Sequence, residues 1–147
     1  MADTTPIKTQ IEPYVRKWLG RKIPGLVFTE RLLPLTSGLP YNFDAVSQDT
    51  AVVGAILCNR PRTRTGRENT GGVRKALLEV GWLRQLPSET KKVMVFTDSG
   101  FCELFRRRAK QLGIQDIQLM VCQLPPALKE SLMQVLDEAS REQRAAE

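Results

Sequence analysis

The chain has 147 residues, a length suited to a single domain over 1–147, and its 41% apolar and 26% charged content is ordinary for a globular protein. It contains no histidine, which removes His-ligated zinc, Ser-His-Asp and Cys-His triads and imidazole bases together. The net charge of +6 is uneven: residues 1–122 carry 19 Lys/Arg against 11 Asp/Glu, while 123–147 carry 3 against 5, so a basic body that favours polyanion partners precedes an acidic tail.

The first segment, MADTTPIKTQ, lacks a basic stretch followed by an apolar one, so no signal peptide is expected. Ile7, Ile11, Tyr14, Val15, Trp18 and Leu19 form one helical stripe, and Thr9-Gln10-Ile11-Glu12 fits a capping box with Glu12 reaching back to the N-cap amide. Leu26 to Leu35 reads as a strand that ends at the loop signal Ser37-Gly38-Leu39-Pro40. Tyr41 to Ser47 alternates, Gln48-Asp49-Thr50 is a turn, and Ala51 to Cys58 is apolar almost throughout, as a strand buried on both faces would be. The last of these is the longest uncharged apolar run and falls far short of the ~20 residues that span a bilayer, so no membrane segment is expected.

Asn59 to Gly72 is polar and arginine-rich, without periodicity. Thr70 is the expected cap of a helix whose core face is Val73, Ala76, Leu77, Val80 and Leu83. Val93 to Thr97 is a buried strand. Ser99 is the expected cap of a helix with Phe101, Leu104, Phe105 and Leu112 on one face, ended by Gly113. Ile117 to Leu124 is a further strand, and Pro125-Pro126 opens a last helix, over about 126–144, with Leu128, Leu132, Val135, Leu136 and Ala139 on its apolar face. The predicted order is α-β-β-β-α-β-α-β-α. A hairpin followed by βαβ alternation implies an α/β fold: a mixed sheet with helices on both faces and a core over about 7–124. Cys58, Cys102 and Cys122 are odd in number, show no CxxC spacing and sit in apolar runs, which suits buried thiols in a reduced cytoplasm.

An α-β-β-β-α-β core with a polar hairpin before its second helix resembles the PD-(D/E)xK, or restriction-endonuclease-like, nuclease superfamily. The resemblance in element order spans Ile11 to Leu124. At residue level it rests on Asn42-Phe43-Asp44-Ala45-Val46-Ser47 followed by Val52 to Arg60. It implies an aspartate on the second strand facing an acid and a lysine two residues apart on the third. Two carboxylates hold Mg²⁺, which polarises the scissile phosphate and acidifies the attacking water, and the lysine steadies developing charge.

Asp44 matches the first position and is the implied metal ligand. In the preferred register Ala55 stands at the acid and Leu57 at the lysine. Gly54 with Ile56, or Ile56 with Cys58, are the other registers, and none supplies a charge, because no charged residue lies between Asp49 and Arg60. Some members of the superfamily move a catalytic group to a neighbouring element. Glu12, Glu30, Glu68, Lys75 and Glu79 are the candidates for such a move, with Glu12 and Lys75 the catalytic partners of Asp44 if the protein is active. The run Asn59-Arg60-Pro61-Arg62-Thr63-Arg64-Thr65-Gly66-Arg67 is a second signal, since arginine binds phosphate through two parallel hydrogen bonds. Asn59, Arg60, Arg62, Arg64 and Arg67 are the expected anion contacts.

These residues lead to the expectation of a nuclease-like domain that lacks the orthodox active site and binds DNA, RNA or another phosphate-bearing ligand. No cofactor is expected in that case. A live Mg²⁺-dependent nuclease with migrated residues is one alternative, and a non-enzymatic interaction module, as subunit or homo-oligomer, is the other.

Overall fold

The computed structural model of the chain describes residues 3–146, with side chains as far as Glu142; Met1, Ala2 and Glu147 lie outside the described residues. Five strands form one sheet, in the order β1-β2-β3-β4-β5. They are β1 (Phe28–Pro34), β2 (Pro40–Ser47), β3 (Val52–Leu57), β4 (Lys91–Phe96) and β5 (Ile117–Val121), and the helices are α1 (Glu12–Lys22), α2 (Thr70–Leu83), α3 (Ser99–Gln111) and α4 (Pro126–Ala146). The first three strands are antiparallel neighbours, whereas β3, β4 and β5 run parallel, joined through α2 and α3. The α/β class and the element order are as the sequence predicts. No helix among the described residues is long and apolar enough to cross a membrane.

Two cores cover the two faces of the sheet. Phe43, Val53, Ala55, Leu57, Met94 and Phe96 pack with α2 (Val73, Ala76, Val80) and α3 (Phe101, Phe105). Ala45, Val52, Ile56, Val93 and Val95 pack with α1 (Val15, Leu19) and α4 (Leu132). β3 feeds both, which is why it is apolar at every position. Gly54 is a tight point within the sheet, because a Cβ there would lie 2.7 Å from Val93 Cγ2 and 3.3 Å from Val93 O. Gly54→Val is therefore expected to destabilise the fold by about 1–3 kcal/mol through overpacking. A urea midpoint unchanged from wild type would show that β3 and β4 separate more freely than this geometry allows.

Four local expectations need correction. Thr9 is not a cap: Ile7–Ile11 is a π-helical turn leading into α1, the Thr9 hydroxyl bonds Thr5 O, and Glu12 is buried rather than turned back to an N-cap amide. The cap of α2 is Asn69, whose Oδ1 accepts from Gly72 N–H at 2.9 Å, with Thr70 the first helical residue. Likewise Asp98, not Ser99, caps α3, accepting from Phe101 N–H at 3.0 Å. Leu112 lies past the end of α3 and is 61% exposed instead of packing inward. Gly113 does end that helix, at φ +70°.

One irregularity in the sheet positions the site. Thr29 pairs with Val46 and Arg31 with Phe43, so Glu30 on β1 faces two residues of β2, Asp44 and Ala45. This is a β-bulge, and it shifts the alternation: Phe43 and Ala45, two apart, line opposite cores. Beyond Ala45↔Gly54 the β2–β3 ladder opens. There the Asp44 side chain takes over, its Oδ2 accepting from Ile56 N–H at 2.9 Å.

Candidate functional site

The bulge and the opened ladder present Asp44 to α1 and β1. Glu12, from the first turn of α1, and Glu30, from β1, each bring a carboxylate oxygen to it, and the three oxygens lie within 4.8 Å of one another. Lys8 bridges the group, its Nζ 3.2 Å from Glu12 Oε1 and 3.3 Å from Glu30 Oε2. Arg16 Nη1 donates to the Asp44 carbonyl at 2.9 Å and stands 3.8 Å from Glu12 Oε1. Glu79 on α2 accepts from the Tyr41 hydroxyl at 3.0 Å, and Tyr41 stacks on Trp82.

Burial, with carboxylate repulsion second, raises the Glu12 and Glu79 carboxyls above the ordinary range, and burial also raises Asp44 against the pull of the Ile56 amide. Glu30 is exposed and is lowered by hydrogen bonds from Asn42 and Lys8. The three raised groups hold protons more readily folded than unfolded. Their contribution to stability is full below the unfolded carboxylate values and is lost as pH rises through the folded ones. The melting temperature is accordingly expected to be higher near pH 5 than at pH 8, and Asp44→Asn to flatten that slope. A melting temperature that climbs steadily from pH 5 to pH 8 would contradict it.

Three carboxylate oxygens are a hard donor set suited to Mg²⁺, Mn²⁺ or Ca²⁺. Neighbouring oxygens on one ion stand about 3.4 Å apart on Ca²⁺ and about 3.0 Å on Mg²⁺, so carboxylates whose oxygens lie within 4.8 Å of one another would draw together to hold either. The donor set suits a divalent cation, and Lys8 Nζ already stands as one positive charge between Glu12 and Glu30.

The sequence candidates thus divide. Asp44, Glu12 and Glu30 come together. Lys75 is exposed on α2 and makes itself felt at Asp44 and Glu79 through its charge. Glu68 belongs elsewhere, paired with Arg108 at 2.7 Å. Ala55 and Leu57, the positions expected from the resemblance to stand at an acid and a lysine, belong to the α2/α3 core. Lys8 was not among the candidates. Its only sequence signal is the i,i+4 spacing to Glu12, which is common on any helix.

The arginine run is a folded loop. Thr63 N–H donates to Arg67 O, Gly66 N–H to Thr63 O and Asn69 N–H to Pro61 O, at 2.7–3.0 Å. Arg62 Nη1 braces Gly66 O, and Arg60 is held by Asp137 of α4 at 2.8 Å. The result is a basin of about 410 Å³. It is lined by Asn59, Arg60, Arg62 and Arg64, by the first turn of α2 (Thr70 to Gly72) and by α4 (Leu136, Ala139, Ser140). Arg67 lies in the loop but does not line the basin. The macrodipole favours anions at a helix N-terminus, so the start of α2 and the arginines act in the same sense, although the amides of Thr70, Gly72 and Val73 are already held by Glu68 O, Asn69 Oδ1 and Asn69 O.

No family model, curated protein or solved structure matches the chain.

Proposed function

We propose that this protein is a nucleic-acid-binding domain that receives the phosphate backbone in the arginine basin. The observation that carries the proposal is the convergence of Arg60, Arg62 and Arg64 on the N-terminus of α2, in a concave site at the end of β3. Arginine forks and backbone amides are the usual donors to phosphate oxygens, and such contacts position a strand without reading its sequence. The net charge of +6 favours the same partner. In element order the fold resembles the restriction-endonuclease-like superfamily, in keeping with a phosphodiester ligand.

A second reading, divalent-metal-dependent hydrolysis, is favoured by one observation, the approach of Glu12 and Glu30 to Asp44. In that reading the three carboxylates hold the ion, which would polarise the phosphate and acidify a water. Asp44 is fixed by its bond to the Ile56 amide, and Lys8 and Lys75 supply positive charge beside it.

One experiment separates the readings. Labelled 20-nucleotide single strands and duplexes of DNA and RNA are titrated by fluorescence anisotropy from low to high salt, with EDTA, Mg²⁺ or Mn²⁺, and then run on denaturing gels. Binding is expected, with log affinity falling by about 0.9 per log salt for each duplex phosphate contacted. Binding without cleavage supports the first reading alone. Cleavage that Asp44→Asn removes supports the second as well. Absence of binding to every substrate at low salt would sink both.

A further inference from the structure

The two edges of the sheet are built differently. β1 carries Glu30, Arg31, Pro34 and the bulge, all of which discourage another strand from pairing. β5, Ile-Gln-Leu-Met-Val, carries no charge, proline or bulge, and no strand among the described residues pairs with its outer side. Beside it a groove of about 250 Å³ runs between β5 (Ile117, Leu119) and α3 (Arg106, Lys110), with Ile114 in its wall.

We propose that this edge takes up an extended acidic segment of a partner polypeptide, which adds a sixth strand to the sheet. Main-chain hydrogen bonds to β5 would give the affinity, and alternate side chains of the added strand would face the groove, where specificity is set. The groove is lined by two cations and no acid, so acidic side chains alternating with apolar ones fit it. Two acids on the adjoining elements are already engaged: Asp116 is held by Arg84 at 2.8 and 3.0 Å, and Glu103 makes an exposed pair with Arg106 at 3.3 Å, of the kind that exchanges readily. A second copy of this chain is the poorer occupant, because a self-paired β5 presents no acid to Arg106 and Lys110.

The test uses the isotope-labelled full chain and two synthetic decapeptides, five Val-Glu repeats and five Val-Lys repeats. The Val-Glu peptide is expected to shift the amides of Gln118, Leu119 and Met120 saturably, and the Val-Lys peptide is not. The pair Arg106→Glu/Lys110→Glu is expected to weaken Val-Glu binding roughly tenfold. The paired variant should also gain affinity for Val-Lys, a switch that misfolding cannot produce, and retained spectral dispersion confirms its fold. The proposal is overturned by no saturable shift at about 1 mM peptide, by equal binding of the two peptides, or by shifts confined to the arginine basin. It is equally overturned by a concentration-dependent dimer that shifts the same β5 amides, which would make a second copy the occupant.

Discussion

Arg62→Gln/Arg64→Gln is expected to lower affinity for duplex DNA by about 10²-fold near 50 mM salt, with the slope of log affinity against log salt shallower by about 1.8. Both figures follow from counterion release: each phosphate contact contributes about 0.9 to the slope, and at that salt each is worth somewhat more than a factor of ten. These two side chains suit the test because they are exposed and line the basin, and the bond of Arg62 to Gly66 O stays within the loop. Arg60 suits it less, since its bond to Asp137 also ties the loop to α4 and its loss would mix structure with charge. Lys91→Gln is the matching control. It removes one charge at the start of β4, beside Val52 and thus at the opposite end of β3 from the loop. Anisotropy titrations at several salt concentrations give both quantities. A double variant with wild-type slope would place the phosphate contacts elsewhere on the protein.

The second large effect concerns stability. Phe96→Ala is expected to cost about 3–5 kcal/mol, the sum of lost burial and a cavity that neighbours fill poorly. Phe96 is fully buried on an interior strand, with the rings of Phe101 and Phe105 at 5.8 and 5.6 Å, so the hole would open where α3 meets the sheet. Against a typical total of about 5–15 kcal/mol this is a large fraction, and for a chain of this size it corresponds to a drop of roughly 10–15 °C in melting temperature. Urea unfolding with unchanged m-value should report it. A loss below about 1 kcal/mol would mean the aromatic cluster relaxes into the space.

The elements were legible because each is written in local pattern: the all-apolar β3, the stripe of α2, the glycine that ends α3. The caps were off by one because Asn69 and Thr70, or Asp98 and Ser99, are chemically equivalent acceptors, and only the backbone angles decide which residue stands outside the helix. The carboxylate cluster was legible as a set of candidates and not as a site. Glu12 matched a capping pattern that the π-helical turn displaces, and the meeting of Glu30 with Asp44 depends on a bulge that no residue type in the hairpin announces. The absence of charge on β3 has a packing reason, since Ala55 and Leu57 serve the core. Replacement partners for Asp44 could be recognised only once α1 and β1 were in place.

The strand order repeats the chain order, and this bears on how the molecule assembles. Each strand docks on the edge its predecessor has just left, so no strand waits for a later one to be inserted between it and its neighbour. Loop closures stay short for the hairpins and span a single helix for the parallel steps, which keeps the entropic barrier at each stage small. A chain emerging from the ribosome can therefore extend its sheet in one direction, from β1 toward β5, with every intermediate exposing a single growing edge.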